Sequence, residues 1–264
     1  MTESNDYPLV SIITVVYNDE RSLRKTIESV IGQTYKNIEF IIIDGGSTDG
    51  TVNVIKEYEK HINRWISEPD KGVYDAMNKG LRLASGEWIN FLNAEDTFYS
   101  NDTVGDIFYN KNNHHFKLIY GDWINVNSKD MYYEAHAIPY LNNRHLKSRF
   151  QMNHQSLFVK NNHIPNFDLT YKIKADYQWV IDIVKNVEDK DILYIHKPFV
   201  KYDCEGLSST FLLVNVKEYI YLTKRNFGFL QVLKNCKIYF IYLIRYILLL
   251  SKKLINEKWG FRWK

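Results

Sequence analysis

The chain has 264 residues and a mass of 31.4 kDa, with 45% hydrophobic residues, 25% charged residues and a formal net charge of +3. That composition suits one large domain or two small ones with a sizeable buried core; it excludes a disordered chain and argues against a general nucleic-acid binder. Two cysteines, Cys204 and Cys236, are too few for a disulfide framework or a cysteine-built zinc site, and they fit a reducing compartment.

The opening MTESNDYPLV has no basic stretch leading into an apolar one, so no secretory leader is expected. Val10–Val16 (VSIITVV) is β-branched without polar alternation, the pattern of a strand buried on both faces. Asn18 and Asp19 can cap the next segment, in which Leu23, Ile27, Val30 and Ile31 keep helical spacing up to Gly32. A second buried strand, Ile38–Ile43, stops at Asp44-Gly45-Gly46-Ser47-Thr48-Asp49-Gly50, and a helix follows from Thr51 to Glu59. Trp65–Ser67 reads as a strand, Tyr74–Ala84 as a helix and Trp88–Leu92 as another buried strand. The alternation predicts an α/β fold: a mostly parallel central sheet with helices on both faces. Beyond residue 100 the signals thin to a strand at Leu118–Tyr120, a helix at Tyr177–Val187 and a strand at Ile192–Ile195. The expected organisation is a catalytic-sized domain over residues 1–210 and a helical tail over 211–264.

The tail differs in chemistry. From Lys217 onward there are eleven Lys and Arg but only two acids, Glu218 and Glu257, about +9 in net charge against about −6 for the rest. Arg245 interrupts an apolar run from Ile238 to Leu250, which falls short of the roughly 20 uninterrupted residues of a membrane-spanning helix. On a helical projection Lys234, Arg245 and Lys252 fall within about 20° of one another, over a broad apolar face. A basic stripe of this kind predicts an amphipathic helix lying on an anionic membrane surface, or else packed on its own domain or a partner subunit.

Polar clusters fall at three predicted strand ends: Tyr17-Asn18, Asp44 to Gly50, and Asn93-Ala94-Glu95-Asp96. Ligands of open parallel sheets bind beyond such ends. There is no GxGxxG and no GxxxxGK[ST], so neither a dinucleotide site nor a P-loop is supported. Carboxylates facing a phosphorylated ligand need a divalent cation between them, and hard oxygen donors suit Mg²⁺ or Mn²⁺.

PLVSIITVVYN, IEFIIIDGGSTDGT and DKGVYDAMNKGLRLASGEWINFLNAED, in that order, resemble the family 2 glycosyltransferases of the GT-A fold, closely over residues 8–100 and more weakly to about residue 210. The resemblance implies that Thr14, Val15 and Val16 contact the nucleotide and that Asp44 binds its base. It also implies that Asp75, Asn78 and Lys79 lie beside the nucleotide or donor sugar. Asn93, Ala94 and Glu95 would border the donor, and Asp96 would be the carboxylate that contacts Mg or Mn. Glu95 stands where Asp is usual, which puts metal geometry and donor position in question. Lys174-Ala175-Asp176-Tyr177-Gln178-Trp179 resembles the general-base segment, with Asp176 as the base. Met152-Asn153-His154-Gln155-Ser156 resembles an acceptor-side segment, and Gly206-Leu207-Ser208 a loop over the donor.

Plainer roles remain open: Asp44 and Asp49 as helix caps, Asp96 as a turn residue, Asp176 as a cap, His154 as a structural histidine, and Asn78 and Lys79 as a solvated helix end. The implied activity is metal-dependent, inverting transfer from a nucleotide-diphosphate sugar to a glycan or lipid-linked acceptor, on the inner face of a cell membrane. The alternative is a non-catalytic nucleotide-sugar-binding subunit of a glycan assembly complex.

Overall fold

The computed structural model describes residues 7–126, 132–137, 139, 141, 146, 152–203, 212–237, 239, 240 and 244. The Gly206-Leu207-Ser208 loop, and the apolar run of the tail except Tyr239, Phe240 and Ile244, lie outside them. The N-terminal strands are β1 (Val10–Val16), β2 (Ile38–Asp44), β3 (Arg64–Ser67) and β4 (Trp88–Phe91). They pair in parallel in the order β3-β2-β1-β4. Every residue of β1 is buried, as its unbroken apolar run predicts for a central strand.

The β-branched residues of β1 and β2 divide between two cores. Ile13, Val15, Ile41 and Ile43 pack on one face beneath α3 (Val73–Leu83) and α5 (Ala175–Asn186), with Met77, Trp179 and Ile183. Val10, Ile12, Phe40 and Ile42 pack on the other beneath α1 (Glu20–Ile31), α2 (Thr51–Glu57) and α4 (Thr103–Phe108), with Leu23, Ile27, Val54 and Phe108. Asp19 caps α1 by accepting from the Ser22 backbone N–H at 3.1 Å.

The C-terminal half adds β5 (Thr97–Phe98), β6 (Leu118–Val126), β7 (Tyr132–Ala135), β8 (Leu157–Lys160) and β9 (Ile192–Asp203). β8 joins β4 antiparallel, and the sheet continues β8-β6-β9-β5, with β7 on β6. Two strands are longer than their apolar cores suggest: β6 and β9 run on as a parallel pair through an irregular register.

The chain order reverses at β1, because β2 lies to one side of it and β4 to the other. The crevice at their carboxyl ends is the expected ligand site.

The first part of the expected tail packs on this domain. In α6 (Leu212–Phe227), Tyr219 and Leu222 enter the same core as α5. The Glu218 carboxylate accepts from three successive backbone N–H groups, those of Lys172, Ile173 and Lys174, at 2.7–3.0 Å. A short helix, α7 (Phe229–Lys234), follows after Gly228. Among the described residues no helix is long and apolar enough to cross a membrane.

Candidate active site

Three strand ends meet at this crevice. At the end of β2, Asp44 is fully buried, paired in register with Val16 on one side and Ser67 on the other. Its carboxylate accepts from the Ser67 hydroxyl at 2.6 Å, from the Ser47 backbone N–H at 3.0 Å and from the Ser47 hydroxyl. The turn beyond it needs Gly46, whose φ of +83° is in the left-handed region and whose missing Cβ would stand 3.1 Å from the Pro69 backbone nitrogen. The loop is laced to the end of β1: Asn18 Oδ1 accepts from the Thr48 N–H at 2.8 Å, and the Asn18 N–H donates to Ser47 Oγ at 2.7 Å.

At the end of β4 the chain turns through Asn93-Ala94-Glu95-Asp96. Glu95 takes a φ of +84°, a conformation unfavourable for a side chain with a Cβ and typical of functional turns. Its carboxyl is exposed. Partial desolvation, then the negative charges of Asp19 and Asp203, push its pKa up. Asp96 points the other way and is 3% exposed. One of its oxygens accepts from Gln155 Nε2 and the other from the Asp203 backbone N–H, the latter at 2.7 Å. Burial drives its pKa well above the ordinary carboxylate range, although both hydrogen bonds oppose the shift.

The acceptor-side segment closes the crevice. Gln155 accepts from the Asn93 backbone N–H at 2.7 Å through Oε1, so the same amide holds both ends of the turn. Its neighbour His154 reaches in two directions. Nε2 lies 3.5 Å from Asn93 Nδ2, and Nδ1 lies 3.5 Å from Asp176 Oδ2 in the first turn of α5. With the Asn93 amide donating to Nε2, the ring carries its proton on Nδ1, toward Asp176. Asp176 Oδ1 accepts from the Tyr177 backbone N–H at 2.8 Å and from the Tyr74 hydroxyl at 3.2 Å. Desolvation raises the Asp176 pKa, but His154, Lys174 and the Tyr177 N–H outweigh it, and the net shift is downward. A carboxylate held ionised beside a crevice can accept a proton at neutral pH.

The model of the family "Glycosyl transferase family 2" matches residues 11–176, which span all three strand ends and Asp176. This chain belongs to glycosyl transferase family 2. A PGL/p-HBAD biosynthesis glycosyltransferase of Mycobacterium tuberculosis is 30% identical over 213 residues, covering 77% of this chain and 80% of the relative. An uncharacterised glycosyltransferase of the same species is 46% identical over 98 residues, a match that spans only 37% of either chain. Among solved structures, Staphylococcus aureus TarS 1-349 in complex with UDP-GlcNAc superposes with a TM-score of 0.62 at 17% identity, covering 90% of this chain and 72% of that one. The Pyrobaculum calidifontis mannosyltransferase PcManGT, in complex with GDP-Man and Mn²⁺, gives a TM-score of 0.56 at 15% identity, covering 81% of this chain and 62% of that one. At these identities the structural matches speak for the fold, which is the GT-A fold expected from sequence.

Within this family-2 framework several expected site residues have side chains engaged in the fold itself. Thr14, Val15 and Val16 are at most 6% exposed, and the Thr14 hydroxyl donates to the Leu92 carbonyl at 2.6 Å. Burial on both faces of β1 places these side chains in the two cores, at the strand end that floors the crevice. Asn78 is likewise structural: its amide donates to the Phe167 carbonyl at 2.9 Å and accepts from the Phe167 N–H at 2.8 Å. Lys79 donates to the Pro69 carbonyl and pairs with Glu68, both at 2.9 Å. Asp75, in the first turn of α3, accepts from the Lys71 N–H at 3.1 Å. Asp49 keeps its plainer role, accepting from the Thr51 N–H and hydroxyl at the start of α2.

Asp96 also departs from expectation. Full burial and two occupied oxygens fit a structural acid, and the outward carboxylate of this turn is Glu95. Oxygen donors fit a hard cation here: the exposed Glu95 carboxyl is crowded by Asp19 and Asp203, and Asn93 Oδ1 is buried with no partner among the described residues. Magnesium-type ions bind to one or two protein carboxylates and take further ligands from phosphate, so one outward carboxylate suffices. Sequence reasoning missed Gln155, Tyr74 and Ser67, none of which carries a chemical signature by residue type alone.

Proposed function

We propose that this chain transfers a sugar, with inversion, from a nucleotide-diphosphate sugar to a hydroxyl of a glycan or lipid-linked acceptor. The reading rests on one observation above the others: His154 spans the crevice between Asp176 and the Asn93–Asp96 turn. The proton acceptor and the donor-side turn are therefore two faces of one site. Asp176 Oδ2 takes the proton of the acceptor hydroxyl, while the Tyr74 hydroxyl and the Tyr177 N–H hold Oδ1 in place. The acceptor oxygen then bonds to the anomeric carbon as the bond from that carbon to the diphosphate oxygen breaks. The electron pair leaves with the nucleoside diphosphate, and a single displacement inverts the centre. Asp44 would shape the base end of the crevice through Ser47 and Ser67, whose donors occupy both of its oxygens. Glu95 would hold Mg²⁺ or Mn²⁺, which offsets charge on the departing diphosphate.

A thermal-shift panel of nucleoside diphosphates and their sugars, with and without Mn²⁺, tests the donor side. A ligand at a hundredfold excess over Kd stabilises the fold by about 2.7 kcal/mol, roughly 5–10 °C for a chain of this size. One base is expected to give that rise, larger with Mn²⁺. No rise with any nucleotide would overturn the proposal.

We also infer that the tail docks on an anionic membrane, which would bring lipid-linked acceptors to the crevice. Phe229, Leu230 and Leu233 are 53–74% exposed in and around α7, with Lys234 and Lys237 exposed beside them. A chain ended after Gly228 keeps α6, its Glu218 hydrogen bonds and its place in the core, and gives up the Tyr219–Tyr239 ring contact. It is expected to lose co-sedimentation with anionic vesicles while retaining the nucleotide-dependent rise in Tm. Equal sedimentation of the two chains would refute docking through this segment.

A further inference from the structure

We propose that Asp122, His136 and His196 form a binding site for a divalent transition-metal ion of the zinc class, using none of the residues assigned to the donor crevice. Asp122 lies on β6, His196 on β9 and His136 just after β7, so three separate segments supply the donors. Nδ1 of His136 lies 3.2 Å from Asp122 Oδ2, and Nδ1 of His196 lies 3.3 Å from that same oxygen and 2.8 Å from the Tyr194 hydroxyl, a hydrogen bond that an incoming ion would displace. All three donor atoms lie within 4.8 Å of one another. In a tetrahedral site with metal–ligand bonds of about 2.0–2.1 Å, neighbouring donors stand about 3.3–3.4 Å apart. Both histidine–carboxylate distances are therefore close to the edges of a zinc tetrahedron. The imidazoles stack, with centroids 5.2 Å apart and planes 13° from parallel.

The carboxylate is held as metal ligands usually are. Asp122 is 1% exposed, and its second oxygen accepts from the Ala137 N–H at 2.8 Å and the Tyr194 hydroxyl at 2.7 Å. Such outer contacts fix the orientation of a ligating group. The histidine side chains are 52% and 71% exposed, leaving an entry path and room for water as a fourth ligand.

Backbone irregularity builds the arrangement. In the parallel register Gly121 faces Ile195 but Asp122 faces Pro198, so His196 and Lys197 are extra residues in β9. Pro198, which lacks an N–H, fits such a break. Only glycine allows it: a Cβ at Gly121 would stand 2.7 Å from the Lys197 carbonyl oxygen and from the Phe199 ring. Bulges of this kind re-aim side chains, and here the bulge brings His196 to Asp122. Two imidazoles and one carboxylate favour zinc or its neighbours over Mg²⁺ and Ca²⁺. The ion would tie the segment after β7 to the β6–β9 pair.

The test is zinc titration, by calorimetry, of the full chain stripped of metal by a chelator. One equivalent is expected to bind wild type and Glu95→Gln alike and to raise Tm in both. His136→Gln and His196→Gln alter exposed side chains; each is expected to weaken zinc binding about 10–100-fold or more. Cobalt in place of zinc should give the strong visible absorption of a tetrahedral site in wild type and Glu95→Gln and in neither histidine variant. The proposal is overturned if wild type takes up no zinc, or if the double histidine variant binds it as tightly as wild type.

Discussion

Asp176→Asn is expected to lower sugar transfer by about 10²–10⁴-fold, the usual contribution of a general base, without reducing the rise in Tm that the donor nucleotide produces. The amide keeps the size of the carboxyl group and can still accept from the Tyr177 N–H, but it cannot take the acceptor's proton. His154→Ala is expected to act on the same step more weakly, because the ring holds Asp176 ionised without receiving the proton itself. The pH profile separates the two variants. In wild type the Asp176 pKa lies below the ordinary carboxylate range because His154, Lys174 and the Tyr177 N–H together outweigh desolvation. The acid limb of kcat/KM should therefore lie at correspondingly low pH and move upward in His154→Ala. A wild-type chain that binds nucleotide and transfers no sugar from any donor would instead mark a binding subunit.

The turn after β4 holds the second large effect, and it divides between neighbouring residues. Asp96→Ala would leave Gln155 Nε2 and the Asp203 N–H buried without an acceptor, at about 1–3 kcal/mol each. A fall of several degrees in Tm is the expected result. Glu95→Gln, at an exposed carboxyl, should leave Tm unchanged or slightly raised, since it removes a charge that Asp19 and Asp203 oppose, while abolishing the response to Mn²⁺. The opposite pattern, a stable Asp96→Ala that has lost the Mn²⁺ response, would return the cation to Asp96. The sign with pH is distinct as well. A carboxyl whose folded pKa is raised makes the folded state bind the extra proton, so stability declines as pH climbs from the unfolded pKa toward the folded one. Asp96→Asn, which does not titrate, should flatten that decline above the ordinary carboxylate range.

The first hundred residues were nearly transparent to sequence reasoning, because each buried parallel strand is an unbroken apolar run and each helix repeats at its own period. Val10–Val16, for example, is at once a strand by pattern and the central strand in space. The second half was harder to read for physical reasons. β5 is two residues long, β8 is four, and the β6–β9 pair bends around extra residues that no alternation announces. The site shows the same division. Motif residues at strand ends converged, whereas motif alone did not distinguish carboxylates facing the crevice from those facing the core. Asp96 and Glu95 are adjacent, yet one is buried and the other exposed, in a turn where Glu95 takes a positive φ. Asn78 and Lys79 met the same fate, because nothing in their spacing foretold the backbone of Phe167 or Pro69 as partners.

Glu218 sits well beyond the segment shared with the family, yet it gathers the three amides that lead into the helix bearing Asp176. A fragment trimmed to residues 11–176 would lose that anchor, most of α5 and all of α6. On the proposed reading of Asp176 as the proton acceptor, α6 doubles as its scaffolding, so a chain cut before Glu218 would lose support for the site as well as the tail.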